Sequence, residues 1–174
     1  MEAFLAEVCS LAWNDRLDRG LPFADGVAEL CASHPDQAER IEAYLHRWPE
    51  TLGGLLDDSV ALLVGVRAAG VACYALSNHS TETFPVADER YGVRSWFDGV
   101  LLSGEVGVAK PDAAIFDELC RRFDLTPATT AFVDDSAPNV AAAAALGFHA
   151  HRFTSAPALA GWLRSLGVAI RGVA

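Results

Sequence analysis

Residues 130–139 read "TAFVDDSAPN", and the fold is decided by how this stretch is read. Ala131, Phe132 and Val133 form an apolar run of strand type, and two carboxylates, Asp134 and Asp135, follow it without spacing. Adjacent like charges beside a core strand repel each other and are costly to desolvate. The placement is tolerated when a divalent cation neutralises the pair and a following helix N-terminus lends partial positive charge. By itself the pair also reads as a turn or a helix N-cap. Asn139 lies near the start of the next helix, where it either caps that helix or orients the acids.

Working outward, apolar strand-like runs alternate with helical text from residue 58 onward. A helix over 59–69 closes at Gly70, and the run 71–76 ends at Ser77 and Asn78. A polar helical stretch covers 81–91, and the run 99–102 ends at Ser103. A helix starting at Pro111 carries Ile115, Phe116, Leu119, Cys120 and Phe123 on one stripe. After the strand at 130–133, an Ala-rich helix over 140–146 stops at Gly147; a last strand at 148–153 and a helix at 158–166 close the chain. Short apolar strands alternating with helices predict a parallel sheet covered on both faces.

Residues 1–56 have a different rhythm. Phe4, Leu5, Val8 and Leu11 share one helical face, and Ile41, Tyr44, Leu45 and Trp48 recur at the helical period. Pro22, Pro35 and Pro49 punctuate this zone, and no strand is expected in it. The expected division is therefore a helical region, 1–56, and an α/β core, 57–174.

Composition narrows the partners. The chain has 174 residues, 52% of them hydrophobic, with a formal charge of −10 from 13 Lys and Arg against 23 Asp and Glu. No Lys/Arg run offers a stripe that could track phosphates, so neither nucleic acid nor an anionic membrane is an expected partner. A small anionic substrate remains compatible, because a metal ion and a few amides reverse the sign locally. Cys9, Cys31, Cys73 and Cys120 are scattered without a C-x-x-C pair and read as reduced thiols. The start lacks a basic signal-peptide pattern, and Arg67 interrupts the longest apolar stretch, so a cytoplasmic location is expected.

In a parallel sheet every strand points its C-terminal end at one edge, where ligands sit. The residues at those ends are Ser77 and Asn78, Ser103, and Asp134 with Asp135, and Lys110 lies in the loop "SGEVGVAKPD" (103–112) that begins at Ser103. Hard oxygen ligands with hydroxyl, amide and ammonium donors suit Mg²⁺ and a phosphate-like group. Each piece also has a plain reading: Ser77 and Asn78 as a turn pair, Lys110 as a solvated loop lysine, His79 as a rim residue.

Taken together, "YALSN" (74–78), "FDGVLLSGEVGVAKPDAAIF" (97–116) and "FVDDSAPNVAAAAALGF" (132–148) resemble the haloacid dehalogenase-like (HAD) hydrolase superfamily, in its branch of capped phosphatases and dehalogenase-like proteins. The resemblance implies a Rossmann-like parallel sheet with helices on both faces and a small helical cap. It implies that Ser77 and Asn78 hold the phosphoryl oxygens, that Lys110 neutralises the transferring group, and that Asp135 binds Mg²⁺ with support from Asp134. The implied activity is a Mg²⁺-dependent phosphatase acting on a small phosphorylated metabolite through an aspartyl-phosphate. A haloacid dehalogenase-type hydrolase and an inactive binding module of the same fold are the alternatives.

The family's nucleophile belongs to a D-x-D or D-x-G-G block ending the first strand, and nothing in this chain fits it. Asp15, Asp18 and Asp25 lie in helical or Pro/Gly-rich text, and Asp57 with Asp58 precedes a helix as N-cap candidates. The sequence is expected to lack a strand, a turn and a flap, on the order of 20–30 residues. In the family that strand lies mid-sheet, between those ending at Ser77 and Asp134. Without it, each unpaired buried amide or carbonyl costs about 1–3 kcal/mol. The two strands are then expected to pair directly, to recruit another segment, or to be covered in a dimer.

Overall fold

The computed structural model describes residues 2–170. Its elements in chain order are α1 (Glu2–Glu7), α2 (Leu11–Asp18), α3 (Phe23–Ser33), α4 (Ala38–His46), α5 (Asp57–Ala68), β1 (Tyr74–Ser77), α6 (Phe84–Tyr91) and β2 (Gly99–Leu102). There follow α7 (Ser103–Val106), α8 (Ala113–Phe123), β3 (Ala131–Asp134), α9 (Ala137–Ala145), β4 (His149–Arg152) and α10 (Ala156–Ser165). Contacts divide the chain into two units: residues 1–53, 76–93 and 101–109, and residues 54–75, 94–100 and 110–174.

The first unit is built on the helical zone. Trp13, Leu17, Phe23, Val27, Leu30 and Ile41 are buried together, and Tyr44, Leu45 and Trp48 pack against them. The stripe at 41–48 is thus packing. The Trp13 indole donates to the Gly26 carbonyl at 3.1 Å, and a Cβ on Gly26 would lie 2.7 Å from Leu17 Cδ2, so a larger residue there would displace the buried Leu17 side chain. The expected common face of Phe4, Leu5, Val8 and Leu11 is not formed. The Ser10 hydroxyl accepts from the Trp13 amide and starts a new helix, which leaves Leu5 and Leu11 45% and 90% exposed.

The second unit holds an aromatic group: Phe116 of α8, Phe132 of β3 and Phe148, with ring centroids 5.2–6.3 Å apart. Its second core joins Leu62 and Val66 of α5 to Ala156, Ala160 and Leu163 of α10. β3 and β4 pair in parallel from Ala131 opposite His149 to Asp134 opposite Arg152. Tyr74 stacks on Phe123 at 4.8 Å, and that ring lies where a Cβ on Gly99 would be.

The strands form two two-stranded sheets, β1 with β2 and β3 with β4, rather than one continuous sheet. No described residue before α5 forms a strand that could join them. Element starts shift for local reasons. β1 begins at Tyr74 instead of residue 71 because Gly70, at φ +81°, closes α5 and the Val71 amide bonds back to Val66. α8 begins two residues after Pro111, with Asp112 in the N-cap position. Asp57 and Asp58 occupy the first turn of α5 and do not cap it, so they complement the positive end of its dipole.

Candidate active site

The residues singled out at the strand ends fall into two groups, one in each unit. In the second unit, Lys110 Nζ lies 2.7 Å from Asp134 Oδ2, and the two side chains are only 11% and 7% exposed. The other oxygen, Oδ1, accepts the Ser136 amide at 2.8 Å and the Asn139 side-chain amide at 3.1 Å. Asn139 therefore orients the acid and does not cap α9. Burial disfavours the charged carboxylate, but the Lys110 ammonium and the two amide donors outweigh it and hold Asp134 below its ordinary range. Lys110 also lies 5.9 Å from the Phe132 ring centroid, so the pair sits against the aromatic core.

Asp135 follows Asp134 but is exposed, and its carbonyl accepts Arg152 Nε at 3.0 Å. The two adjacent acids are thus held differently. Asp134 has both oxygens engaged, while Asp135 stands exposed at the entry to α9, whose N-terminal amides favour negative charge. Among the described residues no group of three or more His, Cys, Asp or Glu is arranged to hold a metal. Asp135 leaves its side chain exposed at this strand end, and a cation held there would need further oxygen donors.

In the first unit, Ser77 and Asn78 are half-buried where β1 gives way to a turn. The next residue, His79, has its imidazole edge-on to Trp48 and Phe84, at 5.5 and 5.6 Å between centroids. Its Nδ1 lies 3.0 Å from the Ser80 carbonyl. Desolvation lowers its pKa and that carbonyl partly restores it, so this ring adds no dependable positive charge beside the turn. Ser103, expected on the ligand-facing rim, is fully buried. Its hydroxyl donates to the Asp18 carbonyl and accepts the His79 amide at 2.9 Å, which uses it internally.

Asp18 sits in helical text with no motif around it, and the structure gives it a defined place. Its carboxylate accepts the side-chain amide of Asn14 at 2.9 Å and the backbone amide of Ser80. Desolvation, reinforced by Asp15, pushes its pKa up to about 6 against those two hydrogen bonds. No local pattern marks this residue, because its partner Ser80 is far along the chain.

The structure thus brings Lys110, Asp134 and Asn139 into contact, places Asp135 beside them, and sets Ser77 and Asn78 at the end of β1. A family model described as haloacid dehalogenase-like hydrolase matches residues 8–147. The chain is 33% identical over 119 residues to the sesquiterpene phosphatase astK of Aspergillus oryzae, covering 67% of this chain and 61% of that protein. It is 30% identical over 95 residues to (S)-2-haloacid dehalogenase 1 of a Pseudomonas species, covering 55% and 42% respectively. It therefore spans less than two thirds of the length of either relative. Among solved structures, a HAD-family enzyme of Bacteroides thetaiotaomicron in complex with magnesium superposes with a TM-score of 0.74 at 21% identity, covering 91% of this chain and 82% of that one. An aspartate-to-alanine variant of the same enzyme, with magnesium and inorganic phosphate, superposes at 0.67 and 21% identity, covering 80% and 74%. With the sequence motifs, the α/β architecture and the family match in agreement, the chain belongs to the haloacid dehalogenase-like hydrolases.

Proposed function

We propose that this chain carries the anion- and metal-binding machinery of a Mg²⁺-dependent phosphatase for a small phosphorylated metabolite. The observation that carries the reading is the buried Lys110–Asp134 pair with the exposed Asp135 carboxylate next to it, at the entry to a helix. In this reading Ser77 and Asn78 hold the phosphoryl oxygens by hydroxyl and amide. Lys110 neutralises the transferring group while Asp134, fixed by Asn139 and the Ser136 amide, keeps its ammonium in place. Asp135 would hold the Mg²⁺, with Asp134 assisting directly or through water. When bound, the ion would offset the negative charge of the phosphoryl oxygens. Residues 1–56 act as the cap that shapes the pocket, and residues 57–174 as the core. The partner is a small anion, with nucleic acid and membrane excluded, and the location is the cytoplasm. A second copy of the chain is the further partner this reading allows.

The aspartate that attacks phosphorus has no match among these 174 residues. Turnover through an aspartyl-phosphate therefore requires an aspartate from outside them. Anion binding does not, and the neighbour crystallised with an aspartate replaced and with magnesium and phosphate bound supports that separation. Isothermal titration of the chain with inorganic phosphate, with and without Mg²⁺, tests the reading. Binding is expected to require Mg²⁺ and to be lost in Asp135→Asn and Lys110→Met. No phosphate binding at millimolar concentration in the presence of Mg²⁺ would sink the phosphatase reading and leave the inactive module.

The similarity to the haloacid dehalogenase supports a second reading, hydrolysis of a carbon–halogen bond. EDTA separates the two in a form that carries a nucleophile. Phosphatase turnover is expected to stop, whereas dehalogenation that persists without metal favours the second reading.

A further inference from the structure

Three segments of the first unit meet around the turn that follows Ser77 and Asn78: the C-terminal end of α2, residues 78–81, and the entry to α7. The Ser103 hydroxyl, fully buried, bridges the Asp18 carbonyl and the His79 amide. The Gly104 amide bonds the His79 carbonyl at 3.2 Å, so His79 is held by both backbone groups. The Ser80 amide is taken by the Asp18 carboxylate, and Ser80 itself is 2% exposed. Glycines make the approach close enough. A Cβ on Gly104 would stand 3.0 Å from the His79 carbonyl oxygen and the Thr81 amide nitrogen, and one on Gly20, at φ +98°, would stand 3.2 Å from the Gly104 carbonyl oxygen.

We propose that Ser103 and Asp18 are positioning residues: together they set the backbone of residues 77–80 and thereby aim the Ser77 hydroxyl and the Asn78 amide at the bound anion. This rests on the phosphatase reading for the ligand, while the clamp itself rests on the contacts. The chemical logic is that an anion site built from a turn is only as good as the fixed direction of its donors. A buried hydroxyl that both donates and accepts within one bridge fixes two chain segments at once. The Asp18 carboxylate adds a charged acceptor for the Ser80 amide.

The same carboxylate makes the clamp sensitive to acid. Its titratable neighbours are Asp15 on its own helix and Tyr44 of α4, whose hydroxyl donates to Asn14 Oδ1 at 3.2 Å. Arg19, one residue on, pairs with Asp15 at 2.7 Å. The turn offers Asp18 only the uncharged Ser80 amide. A pKa raised to about 6 places the change of charge near neutrality. Protonation weakens the acceptor and loosens the hold on the turn.

The test uses the full chain with Mg²⁺ and inorganic phosphate, comparing wild type, Ser103→Ala, Asp18→Ala and Asp18→Asn. Phosphate dissociation constants come from calorimetry, and the backbone amide resonances of residues 77–80 are followed from pH 4.5 to 7.5. Ser103→Ala and Asp18→Ala are expected to weaken phosphate binding roughly tenfold and to shift the Ser77 and Asn78 amides. Asp18→Asn keeps a neutral acceptor for the Ser80 amide, so it is expected to weaken phosphate binding less than Asp18→Ala and to lose the titration of the Ser80 amide near pH 6. If Ser103→Ala and Asp18→Ala lower the melting temperature but leave the dissociation constant and those amides unchanged, the residues only stabilise the fold and the proposal is overturned. Should Ser103→Ala fail to fold, the Asp18 pair decides: unchanged phosphate affinity in Asp18→Ala overturns it. If wild type binds no phosphate yet the Ser77 and Asn78 amides move in the variants, the clamp stands and the phosphatase reading falls.

Discussion

The end of β3 in the second unit and the end of β1 in the first carry the residues that the strand pattern singles out, and they are held by opposite means. Around Asp134 the fixing force is charge: a carboxylate and an ammonium, both nearly buried, with two amide donors completing the acid. Around residues 77–80 the fixing contacts are a neutral hydroxyl, backbone amides, two close-packed glycines and one carboxylate that pays a desolvation cost. The first arrangement is strong only while both partners are present, because an unpaired buried charge is costly. The second is spread over many small contacts, so losing any one of them costs little while added volume costs more.

That contrast sets the order of expected effects. Lys110→Ala should be the most damaging, at about 3 kcal/mol in urea unfolding, because it strands Asp134 in a nearly dry setting. The double change Lys110→Met with Asp134→Leu should recover part of that loss, and no recovery would show that the pair is not the source. Gly104→Ala should cost about 2 kcal/mol, since the new Cβ meets backbone atoms at 3.0 Å that have no side-chain freedom to move. An amide spectrum with residues 79–81 unchanged would break the steric half of the comparison. Asn139→Ala should cost about 1 kcal/mol, the usual net value of one hydrogen bond, because Asp134 keeps Lys110 and the Ser136 amide.

The smallest effects are those of pH, and they have opposite signs in the two regions. Asp134 is held below its ordinary pKa, so its contribution is present above about pH 4 and is lost as the pH falls through the folded value. Asp18 is raised to about 6, so its contribution is present below about pH 4 and is lost as the pH rises through 6. Melting curves of Asp18→Asn at pH 4.5 and 7.5 should therefore gain on wild type as the pH rises. Asp134→Asn should show a shallower loss in acid. The same sign in both would mean that the two carboxylates share one kind of environment.

Most of the architecture was legible in the sequence because its signals are local. The stripe Ile115, Phe116 and Leu119 is buried as its helical period requires, and Gly70 and Gly147 adopt positive φ where helices were expected to end. The motifs in "AKPD" and "FVDDSAPN" led to a contact between Lys110 and Asp134, which lie 24 residues apart. Other readings failed where a short-range rule met a competing bond. Ser10 ended a helical face by capping a new helix, and the Val71 amide turned back to α5 instead of opening a strand.

What the sequence alone determined is the class of fold, the family and the residue types at the strand ends, since alternation, capping and motif spacing act over a few residues at a time. Only the tertiary structure decided that Asn139 serves Asp134 instead of α9, that Ser103 faces inward, and that Asp18 reaches Ser80 across 62 positions. Those pairings depend on which distant segments share a dry interior, where a buried donor must find an acceptor whatever its place in the chain.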